Sequence, residues 1–154
     1  MTIPTGLILF AHGSRDPRWA APFEAVAAQV SAQRPGVPVR LAFLEFMTPT
    51  LPEAGADLAA QGCTRVQVLP MFLGAGGHVR KDLPLLIEAL AAAHPGLGVQ
   101  LLPAVGEIAS VTAAMAGAAL ALIDMEPPAP ALALIDMQPP APALALIDME
   151  PPAP

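Results

Sequence analysis

The chain has 154 residues, 55% of them hydrophobic and 13% charged, with a formal net charge of -6. That length holds one domain with a core and excludes two comfortable ones, and the apolar content excludes an ordinary disordered chain. Residues from Ala119 onward hold five acids and no base, whereas residues 1–118 hold eight acids against seven bases; no broad basic surface exists for nucleic acid.

At the N-terminus there is no basic leader, and the apolar run from Leu7 to Ala11 is too short for a secretion signal. A cytoplasmic location is expected. Four runs, "GLILFA" (6–11), "VRLAFLEF" (39–46), "VQVLPMFL" (66–73) and "GVQLLPA" (98–104), have the length and content of strands buried on both faces. Between them, residues 19–34, 50–62 and 81–96 carry apolar positions at three- and four-residue spacing and end at Gly or near Pro-Gly, which predicts helices. Strand and helix alternate, so the expected fold is α/β: a flavodoxin-like three-layer sandwich around a four-stranded parallel sheet. Cys63 has no partner for a disulfide and is read as a small buried hydrophobe in a reducing compartment.

The run from Val111 to Ile123 falls short of the roughly 18 residues that span a bilayer, and predicts a buried helix; no membrane partner is expected. Three 12-residue repeats follow from Ala119, differing only at Gln138. Each carries three prolines, which forbid a continuous helix. The reading is a domain over 1–124 and a mobile, Pro-rich tail over 125–154, the first "ALALIDM" completing the last helix. A docking tail that seats "LALIDM" in an apolar groove is the other reading.

Parallel sheets of this kind bind ligands beyond the carboxyl ends of their strands. "AHGSRDPR", "LEFMTPT" and "MFLGAGGHVRKD" all fall there, which brings His12, Glu45 and His78 from three strand ends to one edge. His12 taken alone also fits a turn, and Ser14 or Asp16 a helix cap. Glu45, in an apolar setting, needs a partner or a raised pKa. His94 suits a helix C-terminus. Gly76 and Gly77 free the backbone around His78, but the lysine and hydroxyl of a phosphate-binding loop are absent. Two imidazoles and a carboxylate suit a divalent cobalt, iron or nickel ion that is handled as a substrate, with no permanently bound cofactor. Arg15, Arg18, Arg80 and Lys81, four of the seven bases, lie within a few residues of His12 or His78 and suit a polyanionic small molecule.

The segments "LILFAHGSRDPR", "AFLEFMTPTLPEA" and "VLPMFLGAGGHVRKDLP", in this order within residues 5–105, resemble the signature regions of the short sirohydrochlorin chelatases. These are the cobaltochelatase and ferrochelatase group of class II chelatases. The resemblance implies a half-chelatase domain that inserts cobalt or ferrous iron into sirohydrochlorin, a polycarboxylate tetrapyrrole, for cobalamin or sirohaem synthesis. It implies His12 and His78 as metal-binding histidines and Glu45 as their acidic partner, all three catalytic. Ser14, Arg15, Arg18, Gly76, Gly77, Arg80 and Lys81 become substrate-binding positions. A homodimer is implied as well, because longer relatives contain two such halves. A non-enzymatic metal or tetrapyrrole carrier with the same ligands is the alternative. Histidine phosphatases also place His-Gly after a strand, but need an arginine where this chain has Ala11.

Overall fold

The computed structural model describes residues 4–74 and 76–125; the side chain of His78 lies outside the described residues, as does the repeat tail from 126 to 154. Four strands, β1 (Thr5–Ala11), β2 (Val39–Phe43), β3 (Arg65–Pro70) and β4 (Gly98–Leu101), form one parallel sheet in the order β2-β1-β3-β4. β1 is central, paired from Leu7–Val39 to Ala11–Phe43 on one side and from Thr5–Arg65 to Phe10–Pro70 on the other. Strand order reverses between β1 and β3, which makes the crevice above their carboxyl ends the switch point of the sheet.

Alternation along the strands divides the core between two faces. Ile8, Phe10, Ala42, Val66 and Val68 pack with Leu51, Ala54 and Leu58 of α2 (Leu51–Ala60) and Leu83 and Leu90 of α3 (Gly77–Ala93). On the opposite face Ala11 and Phe43 meet Ala20, Trp19 and Phe23, from a 3-10 turn over Pro17–Ala20 and from α1 (Ala21–Gln33). The three-layer α/β architecture is therefore present, with Cys63 buried in the first cluster. Burial pushes the Cys63 thiol up and keeps it protonated, as a packing role requires.

Two surface devices fix α2 beside the sheet. The Thr50 N–H donates to the Glu53 carboxylate at 2.7 Å, closing the first turn. Asp57 pairs with Arg40 of β2 and accepts from Gln61 at 3.0 Å.

Strands β2, β3 and β4 end earlier than their apolar runs. Backbone bonds continue past each: Leu44 N–H to the Ala11 carbonyl at 2.9 Å and Glu45 to His12 at 3.0 Å, Met71 to Phe10 at 2.7 Å, and Leu102 to Val68 at 2.8 Å. Beyond these, tight turns and prolines take the backbone out of the sheet, so Glu45 lies in a loop and not in a strand. Helix α3 starts at Gly77, four residues before the expected Lys81, and takes His78, Arg80 and Lys81 into its first turns.

The expectation of a buried last helix is not met. Residues Ala109–Ile123 do form a helix, α4, but no residue on it is buried, and Leu120, Leu122 and Ile123 are 62%, 67% and 75% exposed. Its alanines and Gly117 surround it with small apolar side chains and leave no wide stripe of large ones to draw it onto the sheet. It packs chiefly against the 3-10 turn over Val105–Glu107. Among the described residues no helix is long and apolar enough to cross a membrane.

The Thr50 N–H and then its hydroxyl hold the Glu53 carboxyl below its ordinary value, and the Arg40 guanidinium does the same for Asp57. Both values are lower folded than unfolded. Their contribution is therefore complete above the ordinary carboxylate range and disappears as pH falls through the folded values. The thermal midpoint, followed from about pH 6 to about pH 2.5, is expected to fall at the acid end. The Glu53→Ala, Asp57→Asn double variant should start lower and fall less; an acid limb as steep as that of the wild type contradicts the assignment.

Candidate metal centre

His12 is the first residue after β1, and Glu45 the second after β2. Their backbones remain paired, because the Glu45 N–H donates to the His12 carbonyl at 3.0 Å. Between them Gly13 has φ +93°, and a Cβ there would lie less than 3.0 Å from the Glu45 carbonyl oxygen. Only glycine supplies both that conformation and that clearance. The close approach leaves His12 Nδ1 at 3.3 Å from Glu45 Oε1, with the two side chains 48% and 44% exposed. A carboxylate on Nδ1 favours the tautomer with its proton there and leaves Nε2 as an open lone-pair donor. Glu45 has thus found a partner.

After Glu45 the chain reverses within three residues. Met47 N–H donates to the Glu45 carbonyl at 2.8 Å, and Phe46 between them has φ +63°, a γ-turn of the strained hand. Phe43 N–H to the Pro49 carbonyl at 2.9 Å closes the loop. The Phe46 ring is 57% exposed, and the Arg15 guanidinium lies over it at 5.1 Å from its centroid. Ser14, Arg15, Pro17, Phe46, Met47 and Thr48 line a shallow pocket of about 260 Å³.

His78 is the second residue of α3, on the far side of the switch-point crevice, after β3. Gly76 caps the helix and Gly77 opens it. A Cβ at Gly74, Gly76 or Gly77 would meet nothing within 4 Å, so packing inside the domain does not require these glycines. Among the described residues no group of three or more His, Cys, Asp and Glu side chains assembles as a metal cluster; His12 and Glu45 stand as a pair of candidate ligands. His94 caps the C-terminus of α3, away from this edge.

The bases near the histidines separate into different environments. Arg18 is tied to Asp16 through Nε at 3.1 Å and Nη2 at 2.9 Å, and this pairing holds the Asp16 carboxyl below its ordinary value. Asp16 also accepts from the Arg18 N–H at 3.0 Å, capping the 3-10 turn, and itself donates its N–H to Ser14 Oγ at 3.2 Å. Arg80 lines a separate pocket of about 210 Å³ with Phe72, Leu83 and Glu107, and Lys81 is exposed on α3. Phe46 and Gly13 are the two site-forming residues that the sequence reading did not single out. A glycine directly after a strand-end histidine was a usable signal for Gly13; positive φ at a phenylalanine has none.

Comparison with known proteins places this edge in a family. The CbiX family profile matches residues 6–119. The sirohydrochlorin cobaltochelatase of Methanosarcina acetivorans is 36% identical over 88 residues, 57% of this chain and 68% of that one. The Saccharolobus islandicus sirohydrochlorin cobaltochelatase is 37% identical over 82 residues, 53% and 62% of the two chains. Among solved structures, the CbiX protein of Marinobacter aquaeolei VT8 superposes with TM-score 0.70 at 32% identity, covering 78% of this chain and 98% of that one. The sirohydrochlorin chelatase SirB of Bacillus subtilis subspecies spizizenii, solved with cobalt, shares the fold at TM-score 0.62 and 24% identity; 77% of this chain covers 50% of SirB. A small doubly wound parallel sheet that matches this profile and has sirohydrochlorin cobaltochelatases among its relatives defines a metal chelatase. The chain belongs to the CbiX family.

Replacing Gly13 by alanine forces either the φ or the Glu45 carbonyl to move. Gly13→Ala is expected to destabilise the domain by at least about 2 kcal/mol in urea denaturation and to lower chelatase activity. Gly74→Ala, in open space, should stay within about 1 kcal/mol of the wild type. Equal stability of the two variants contradicts the close approach.

Proposed function

We propose that this protein inserts a divalent metal ion into sirohydrochlorin, with cobalt as the preferred ion and ferrous iron the next, for cobalamin or sirohaem synthesis. The observation that carries the reading is the His12–Glu45 pair, 3.3 Å apart beyond the carboxyl ends of β1 and β2. The names of the relatives at 36% and 37% identity support cobalt and sirohydrochlorin. Insertion strips water from the ion, moves it onto the four macrocycle nitrogens and releases two pyrrole protons. His12 Nε2 and the imidazole of His78 hold the ion by a few exchangeable bonds. As the ion leaves, the freed imidazole accepts one proton, and the neighbouring Glu45 carboxylate stabilises the imidazolium before solvent takes it. The second proton follows the same route or leaves directly to water. Gly76 and Gly77 leave room for a flat substrate against the start of α3, and Ser14, Arg15, Arg18, Arg80 and Lys81 supply donors for its carboxylates.

We further propose that the protein works as a homodimer in which the second copy supplies the far wall of the cleft. Two observations support this. The chain covers half of SirB and nearly all of the Marinobacter protein. The end of helix α4 and the residues just after it expose Leu120, Leu122, Ile123 and Met125, large apolar side chains that a lone domain would leave in water.

Anaerobic turnover of sirohydrochlorin with each metal separately tests the activity, and catalytic turnover by substoichiometric protein distinguishes an enzyme from a carrier. His78→Ala should abolish insertion with circular dichroism nearly unchanged, and excess metal should rescue His94→Ala far better than His12→Ala or His78→Ala. Full activity of purified His78→Ala removes the central assignment. For the dimer, Leu120→Arg with Ile123→Arg is expected to yield monomers in sedimentation and to cut turnover at least about tenfold. A wild-type monomer with full turnover contradicts it.

A further inference from the structure

We infer that Phe46 is a substrate-positioning residue that acts through Arg15, holding its guanidinium ready for a carboxylate of the macrocycle. The inference rests on the chelatase reading above. Phe46 occupies the apex of a γ-turn at φ +63°, a conformation that glycine or asparagine adopts more readily than a bulky side chain. Its ring does not serve the core, being 57% exposed. The chain therefore holds a phenyl ring in a strained, half-exposed position with the Arg15 guanidinium over it at 5.1 Å from its centroid.

A cation–π contact holds a guanidinium in place without a hydrogen-bond acceptor, so its N–H donors remain available to a carboxylate, which they can receive in a bidentate manner. Arg15 has no carboxylate partner among the described residues, whereas Arg18 is held by Asp16 and Arg40 by Asp57. The Ser14 hydroxyl accepts from the Asp16 N–H, so its own proton remains available to donate. Ser14, Arg15 and Phe46 line one pocket of about 260 Å³, and Phe46 directly follows Glu45. The ligand class is a carboxylate arm on a conjugated ring system. Anchoring it here seats the macrocycle beside the His12–Glu45 pair.

The test titrates metal-free sirohydrochlorin by absorbance into the full-length protein, alongside steady-state kinetics. Phe46→Leu and Phe46→Gly should raise the Kd and KM for the macrocycle about tenfold, with kcat within about twofold and the KM for metal unchanged. Phe46→Trp should restore wild-type values. Phe46→Gly also relieves the turn, so its thermal midpoint should not fall, which separates lost binding from lost folding. Arg15→Gln should weaken binding to a similar degree, and adding Phe46→Leu to it should cost nothing further. Unchanged binding by both Phe46 variants overturns the inference, as does an undiminished Phe46→Leu effect in the Arg15→Gln background. A wild type that binds the macrocycle without inserting metal sinks the chelatase reading while leaving this binding comparison decisive; a wild type that does not bind sinks both.

Discussion

The pairing of β1 with β2 continues one step past the strands, and the site is built on that step. Once the Glu45 N–H is committed to the His12 carbonyl, the backbones at residues 12 and 45 cannot separate, and the side chains they carry are held at 3.3 Å. Gly13 permits this by giving the Glu45 carbonyl room that any side chain would remove. The same carbonyl accepts from Met47, which obliges the chain to reverse at Phe46. The His12–Glu45 pair and the strained turn are thus two outcomes of one backbone arrangement.

Period and composition carried the architecture. Apolar runs gave parallel strands, three-to-four spacing gave helices, and their alternation with short crossovers left little freedom in topology; burial on both faces did not hold for the edge strand β4, which has no buried residue. Element ends were less legible, for local reasons. The run 39–46 is continuously apolar apart from Arg40 and Glu45, so nothing in its period marks Phe43 as the end of β2. What ends the strand is hydrogen bonding to residues 47 and 49, set by the loop as a whole. Likewise, three glycines before His78 looked like loop, yet Gly76 and Gly77 tolerate the helical cap and first turn, and α3 begins there.

Helix α4 was legible as a helix and misread as buried because hydrophobicity and burial are different quantities. An alanine-rich cylinder is apolar in every direction and buries little volume per residue, so it satisfies a composition test without specifying a neighbour. It follows the Val105–Glu107 turn, where Gly106 N–H donates to the Phe72 carbonyl at 3.0 Å, so it departs from the carboxyl edge that carries the His12–Glu45 pair. An exposed apolar helix leaving the sheet at that edge is the feature on which the proposed dimer rests.

Charge at the edge follows the same logic of local geometry. Arg15 and Arg18 flank Asp16 in "SRDPR", and by separation alone either could neutralise it. The 3-10 turn over Pro17–Ala20 decides between them: it brings the Arg18 backbone and guanidinium back onto the Asp16 carboxylate, while Arg15 precedes the turn and extends toward the β2 loop. One arginine is thereby spent on a cap, and the other is left facing an aromatic ring with its donors free. The residue types provide two equivalent cations; proline at the start of the turn makes them unequal, Arg18 committing Nε and Nη2 to Asp16 while Arg15 has no carboxylate partner among the described residues.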